Sequence, residues 1–297
     1  MSTELISSRY ADLDLWSTPD AVQAMLEGQL AAAAAVQPQG AAIAAAADAA
    51  AARIGGKGRL VYVGAGTSGR LAVQDGVELG PTYDWGSERV VYAIAGGMEA
   101  LLTSIEGAED DAAAGAQAMT AAALTPADVV IGVAASGRTP YTVAALRAAA
   151  AAGALTIGIA NNPGTPLLEA AEHPIFLDTG AEIVAGSTRM KAGTAQKIAL
   201  NLFSTALMLR LGRVYKGLMV DMRVSNRKLQ ARAAVMVSEI SGVSRAVGEA
   251  ALAQAGGNIK RAALVALGAA PEQAVSALRE AGDNLRVAMG RIGDAGR

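Results

Sequence analysis

A glycine-rich segment, residues 64–69 with the sequence GAGTSG, offers hydroxyls and backbone amides to a bound anion. It follows an apolar run and precedes a helical pattern, so Thr67 and Ser68 fall where the helix is predicted to begin. Free amides and the positive end of the helix dipole favour an anion there. The segment also fits the dinucleotide-binding pattern, which requires an acidic residue at the end of the next strand. Glu88 lies ahead of that strand, so the sequence favours a phosphate over a dinucleotide.

A second segment, residues 136–140 with the sequence SGRTP, repeats this composition. Ser136 and Thr139 supply hydroxyls, Gly137 permits a tight turn, and Arg138 adds a charged, planar fork of N–H donors. The carboxyl ends of parallel strands share one edge of a sheet, so both segments should border the same crevice. One such segment would be an ordinary turn, but two of them predict a phosphate cradle.

Short apolar runs alternate with helical segments through the middle of the chain, as in a parallel sheet covered by helices on both faces. Right-handed crossovers then predict an α/β fold with a three-layer, doubly wound parallel sheet. The two anion-binding segments follow the first and third runs. The predicted strands cover residues 60–63, 90–94, 129–133, 155–160 and 174–177, with helices between them such as 70–79 and 140–152.

Helical segments flank the predicted sheet, so we expect three parts in the chain. Residues 1–56 form a helical arm, whose first helix is predicted to start with Thr18 as its cap. Residues 57–225 form the sheet domain, which ends in a long helix from about residue 194. Residues 226–297 resemble a small three-helix, ubiquitin-associated-like module, for which we favour a packing or dimer-supporting role.

The composition excludes several kinds of chemistry. The chain has 297 residues, 52% of them apolar, a formal net charge of -2, no cysteine and a single histidine, His173. Disulfides, iron–sulfur clusters, thiol nucleophiles and histidine-based metal sites or triads are therefore not expected. No basic excess indicates nucleic-acid binding. We see neither a signal peptide nor a continuous apolar stretch of ~20 residues, so a cytoplasmic protein without membrane contact is expected.

The two cradle segments resemble those of the sugar isomerase (SIS) domains, which bind sugar phosphates with serine- and threonine-rich loops after parallel strands. Within that group the chain resembles the N-acetylmuramic acid 6-phosphate etherases over nearly its whole length, most specifically in residues 186–197. The matching segments are 64–71 (GAGTSGRL), 81–83 (PTY), 94–97 (IAGG), 106–110 (EGAED), 135–141 (ASGRTPY), 186–197 (GSTRMKAGTAQK) and 218–221 (LMVD), followed by Asn226, Lys228 and Leu229.

This resemblance implies an activity. Such etherases cleave the D-lactyl ether of N-acetylmuramic acid 6-phosphate in cell-wall recycling, giving N-acetylglucosamine 6-phosphate and D-lactate. In the open-chain sugar the C1 aldehyde acidifies the C2 proton, so a base removes it while an acid protonates the departing lactate, and water later adds to the alkene. Each positioned acid or base contributes roughly 10²–10⁴-fold. No cofactor or metal is implied.

The resemblance also implies roles for particular residues. Glu78 is the acid that protonates lactate, and Glu109 is the base at C2, in environments that keep one carboxyl protonated and the other ionised. Ser187, Arg189 and Lys191, ahead of a long helix, line the sugar pocket. A plainer interpretation makes the glutamates solvated carboxylates near helix ends and the other three residues caps and surface charges. From the residues alone, that interpretation would prevail for both glutamates.

The spacing within the first sheet-domain helix adds a geometric expectation. Glu78 lies ten residues beyond Ser68, which is ~15 Å along an unbroken helix. A hexose phosphate is shorter than that, so we predict a homodimer whose active site lies at the subunit interface, with one glutamate supplied by the partner.

Two other functions stay open at this point. A non-catalytic sugar-phosphate sensor, similar to the glucokinase regulatory proteins, would share the cradle, although those proteins resemble a tandem of two such domains. An aldose–ketose isomerase would share proton abstraction at C2 but would need no acid at C3. Release of D-lactate separates both from an etherase.

Overall fold

A computed structural model, which describes residues 1–295, contains a sheet of five parallel strands in the order β2-β1-β3-β4-β5. The chain leaves β1 for one edge of the sheet, returns to the other side of β1 and continues outward, so its direction reverses between β1 and β3. This confirms the predicted α/β, doubly wound fold. The strands are β1 (Leu60–Gly64), β2 (Val90–Ile94), β3 (Val129–Ala134), β4 (Leu155–Ala160) and β5 (His173–Phe176).

The central strands are built mostly from β-branched and small residues and are buried along their whole length. Every residue of β1, β3 and β4 is buried, as expected for parallel strands covered on both faces. β5 lies at the edge, which is where a strand tolerates Pro174, because proline has no N–H to donate to a neighbouring strand.

Helices account for most of the remaining chain. In α1 the N-cap is Ser17, whose Oγ accepts from the Asp20 amide at 3.3 Å, so the prediction of Thr18 as the cap was wrong by one residue. The helices are α1 (Thr18–Ala34), α2 (Gly40–Ile54), α3 (Gly66–Tyr83), α4 (Ala112–Ala121), α5 (Pro140–Ala151), α6 (Pro166–Ala170), α7 (Lys191–Arg210), α8 (Arg227–Ser241), α9 (Arg245–Gln254), α10 (Ile259–Ala266), α11 (Pro271–Glu280) and α12 (Leu285–Ala295).

Contacts divide the chain into two compact units. The first comprises Met1–Val77 and Ser87–Leu207, and thus contains the whole sheet with α1 and α2. The second comprises Glu78–Gly86 and the chain from Met208 on, and it packs around an apolar cluster of its own. That cluster includes Met222, Ala233, Val237, Leu252, Ile259, Leu264, Leu278 and Leu285. The division at residues 56 and 225 stays a prediction.

The run Thr18–Ile54, which includes α1 and α2, is long and apolar enough to cross a membrane by length and composition, because an 18-residue window within it has a mean hydropathy of 1.3. A 3₁₀ turn, Gln37–Gln39, interrupts it. α2 buries Ile43 and Ile54 in the first unit and packs against β4 and β5. We therefore treat this run as part of the fold.

Candidate functional site

The carboxyl ends of β1 and β3 lie side by side at the point where the strand order reverses. Gly64 at the end of β1 pairs with Val133 of β3, and the chain then enters α3 at Gly66 and α5 at Pro140. In open α/β sheets ligands bind in the crevice at such a reversal. Both predicted anion-binding segments therefore follow neighbouring strand ends, and a shared crevice between them stays a prediction.

The turn from β1 into α3 brings the helix very close to the strand, because the residues that meet there are glycines and have no side chains. A Cβ on Gly69 would lie 3.0 Å from the carbonyl carbon of Gly64. α3 starts at Gly66, four residues earlier than predicted, so Thr67 and Ser68 belong to its first turn. Helix geometry leaves the amides of that turn without partners inside the helix, and the Ser68 side chain is largely enclosed beside them.

The turn from β3 into α5 brings two hydroxyls together. The Oγ of Ser136 accepts from the Arg138 amide at 3.1 Å and lies 3.5 Å from the Oγ1 of Thr139. Gly137 has a φ of 63°, and a Cβ there would lie 2.3 Å from the Oγ1 of Thr165, so this position requires glycine. The Arg138 side chain is exposed and available to a ligand.

The start of α7 packs against the first turn of α3. A Cβ on Gly193 would lie 3.5 Å from the Cγ2 of Thr67. The preceding loop contains Ser187, whose carbonyl accepts from the Met190 amide at 3.1 Å. The Nζ of Lys191 donates to the Ala181 carbonyl at 2.8 Å, so this amine has a backbone partner. A sugar-binding role for Ser187 and Lys191 stays a prediction, as it does for the exposed Arg189.

Glu109 lies at a cavity beside the β1–α3 turn. It is exposed in the 3₁₀ turn Ala108–Asp110 and borders a cavity of about 310 Å³ together with Ala65, Gly66 and Arg70. The guanidinium of Arg70 donates to the Ala100 carbonyl at 2.9 and 3.1 Å and so holds the loop that forms the opposite wall. Sequence reasoning gave Arg70 no role, although it directly follows the glycine-rich segment.

Glu78 occupies an exposed position in the later half of α3, and it is not among the described residues that border this cavity. α3 runs without a break from Gly66 to Tyr83. The expected separation of ~15 Å between Ser68 and Glu78 along the helix axis therefore applies. Catalytic roles for Glu78 and Glu109 stay predictions.

A buried polar network anchors α3 one turn before Glu78, and sequence reasoning missed it. Asp75 is 4% exposed and accepts from the Tyr62 hydroxyl at 2.9 Å, the Asn201 amide at 2.6 Å and the Ser204 hydroxyl at 3.1 Å. Burial raises the pKa of Asp75, and these three donors oppose the rise. The network ties α3 to β1 and α7.

Hydroxyl-bearing turns at the reversal of a parallel sheet define the class of SIS-type α/β proteins. In keeping with this, the sequence-family model for the glucokinase regulatory protein N-terminal SIS domain matches residues 42–150. A phosphoheptose isomerase from Francisella tularensis, of known structure, is 18% identical, with a TM-score of 0.45 over 66% of this chain and 98% of that one.

Two relatives identify the particular family. N-acetylmuramic acid 6-phosphate etherase from Deinococcus radiodurans is 50% identical over 97% of this chain and 95% of its own length. The etherase of the same name from Rubrobacter xylanophilus is 46% identical over 97% of this chain and 95% of its own length. The chain belongs to the N-acetylmuramic acid 6-phosphate etherase family, which confirms the resemblance found in the sequence.

Proposed function

We propose that this protein cleaves the D-lactyl ether of N-acetylmuramic acid 6-phosphate, yielding N-acetylglucosamine 6-phosphate and D-lactate during peptidoglycan recycling. The observation that carries the proposal is the match of 50% identity along 97% of the chain to an etherase of that name. The adjacent carboxyl ends of β1 and β3 support it, because the two hydroxyl-bearing turns there suit the phosphate of such a sugar.

The cavity at Glu109 suits the first chemical step. With the phosphate at the two turns, Glu109 removes the C2 proton of the open-chain sugar. The electron pair of that C–H bond forms a C2–C3 double bond as the C3–O bond breaks, and Glu78 gives its proton to the departing lactate oxygen. Water then adds its hydroxyl to C3 and a proton to C2. The two carboxyl groups must begin in opposite protonation states, which requires different surroundings.

We further propose that the active site is completed by a second copy of the chain. The ~15 Å that separates Ser68 from Glu78 along α3 supports this, because it exceeds the length of the sugar phosphate. α1 also carries an apolar stripe, Val22, Leu26 and Leu30, whose exposures are 52%, 51% and 64%. A homodimer would bury such a stripe, and Glu78 of the partner subunit would serve the cradle of the first.

A cytoplasmic location is part of the proposal. The substrate is a charged sugar phosphate, and moving such an ion through a lipid bilayer without a carrier is very costly. An enzyme that consumes it therefore works in the compartment where it is formed.

The purified protein is expected to release D-lactate from N-acetylmuramic acid 6-phosphate without added metal or cofactor. A coupled D-lactate dehydrogenase assay measures this release, with N-acetylmuramic acid as the control that lacks the phosphate. Binding of the sugar phosphate without lactate release would indicate a sensor. Conversion of the sugar without lactate release would indicate an isomerase, and either result would contradict the proposal.

A further inference from the structure

Glu182 is a fully buried carboxylate that occupies the amide end of α7. It is 0% exposed, and its two oxygens accept from the amides of Lys191 and Ala192, each at 2.9 Å. The next two amides of the helix, those of Gly193 and Thr194, donate to carbonyl oxygens of the preceding loop, both at 2.9 Å. The first turn of α7 therefore has partners for all of these donors within the chain.

The amide end of a long helix otherwise attracts anions, through its free N–H groups and its dipole. α7 has 20 residues, and its start packs on Thr67 in the first turn of α3. Without Glu182 it would present a competing anion site next to the cradle. Among the described residues, none in the first turn of α3 or α5 is acidic, so the helices after β1 and β3 keep their preference for an external anion.

Glu182 also closes the loop that carries Ser187. Its hydrogen bonds join residue 182 to the start of α7. A second link between the two ends of the loop is the hydrogen bond from the Nζ of Lys191 to the Ala181 carbonyl at 2.8 Å. Next to it, Ile183 packs on Gly28 of α1, where an added Cβ would lie 2.5 Å from the Ile183 Cδ1. The loop is thereby held at both ends and along one side.

We propose that Glu182 is a positioning residue for substrate binding. It fills the amide end of α7, so that the phosphate of the substrate is directed to the turns after β1 and β3. It also holds the loop with Ser187 in one conformation beside the first turn of α3. This inference rests on the proposed function, since it concerns how the same sugar phosphate is bound.

Glu182→Gln tests the inference, because glutamine keeps the shape but turns one acceptor into a donor that opposes a backbone amide. We expect the Kd of N-acetylglucosamine 6-phosphate, measured by calorimetry, and the KM for lactate release to rise about 10-fold, as for the loss of one charge-assisted hydrogen bond. The kcat should stay within about 3-fold, because Glu182 touches no reacting atom. Glu172→Gln, at an exposed position just ahead of β5, is the matched control and should change neither constant.

Glu182→Asp provides the second variant if the glutamine variant shows no cooperative thermal transition. Its carboxylate is one methylene shorter and reaches one of the two amides, so an intermediate rise in Kd is expected. An unchanged Kd in a folded variant, or a fall in kcat with unchanged Kd and KM, would overturn the inference. Because the Kd is measured without turnover, failure here is distinguishable from a wild-type protein that releases no lactate, which would refute the proposed function itself.

Discussion

Glu78→Gln and Glu109→Gln are each expected to lower the rate of D-lactate release by roughly 10²–10⁴-fold, the usual contribution of one positioned acid or base. Glutamine fills the same space but can neither give a proton to the lactate oxygen nor take one from C2. Both side chains are exposed, so neither substitution should affect folding. The measurement is kcat in the coupled lactate assay, together with the Kd of N-acetylglucosamine 6-phosphate.

The binding constant separates a chemical role from damage to the site. It should change little in either variant, because the phosphate is held by backbone amides and hydroxyls of the two turns. Glu88→Gln, an exposed glutamate just ahead of β2, serves as the control and should keep full activity. Full activity in Glu78→Gln or Glu109→Gln would refute the role assigned to that residue.

Mixing the two variants tests whether the glutamates come from different subunits. In a mixed dimer with composite sites, one site combines both intact glutamates and the other combines both glutamines. Random assortment should then restore about a quarter of the wild-type activity from two inactive preparations. If each site used both glutamates of one chain, the mixture would stay inactive.

Lys260→Ala is expected to lower the free energy of unfolding by about 3–5 kcal/mol, the usual cost of removing one partner of a buried ion pair. The Lys260 side chain is 0% exposed and forms ion pairs with Asp221 and Asp283, and its Nζ also donates to the Asp283 carbonyl at 2.8 Å. Removing it leaves the Asp221 carboxylate buried without its nearest cation. Urea unfolding measures the effect, and Lys228→Ala, at an exposed position, is the control.

The size of this effect should depend on pH. Burial raises the pKa of Asp221 from 3.8 to about 6, against the opposing charges of Lys260 and Arg213. Between pH 3.8 and pH 6 the folded state holds this proton more tightly than the unfolded state does. The stabilisation of the folded state by protonated Asp221 is therefore fully present below pH 3.8 and is lost as pH rises through 6. Without Lys260 the ionised form of buried Asp221 would destabilise the folded state further, because its nearest positive charge is gone.

The cost of Lys260→Ala is therefore expected to be larger at pH 7.5 than at pH 5, where Asp221 is largely protonated. An equal loss of stability at the two pH values would contradict the assignment of this cost to an uncompensated carboxylate.

Local patterns in the sequence were sufficient to predict the strands of the sheet and the positions of the two turns. Continuous apolar runs predicted both ends of all five strands to within one residue, and glycines with hydroxyls marked the loops after β1 and β3. The start of α3 was predicted too late, because three glycines in residues 64–69 lower helix propensity. Their close packing on β1 overrides that propensity, and such packing is not visible in local sequence.

The buried polar groups could not be predicted, because their partners are distant in the chain. Asp75 bonds to Asn201 and Ser204, which lie 126 and 129 residues away. In the sequence, nothing distinguishes Glu182 and Lys260 from exposed charged residues, and only the fold shows that both are buried. For the two proposed catalytic glutamates no local pattern distinguishes an active carboxylate from a solvated one, and only the family resemblance raised them above that alternative.

The most direct test of the central claim is a crystal structure of the Glu78→Gln variant with N-acetylmuramic acid 6-phosphate. It should show the phosphate bound to two turns, the one after β1 with Thr67 and Ser68 and the one after β3 with Ser136 and Thr139. The Glu109 carboxylate should lie at C2. The substituted side chain at position 78 would then face the lactyl oxygen from the partner subunit. A phosphate bound at another place, or a C2 atom beyond the reach of Glu109, would contradict this account.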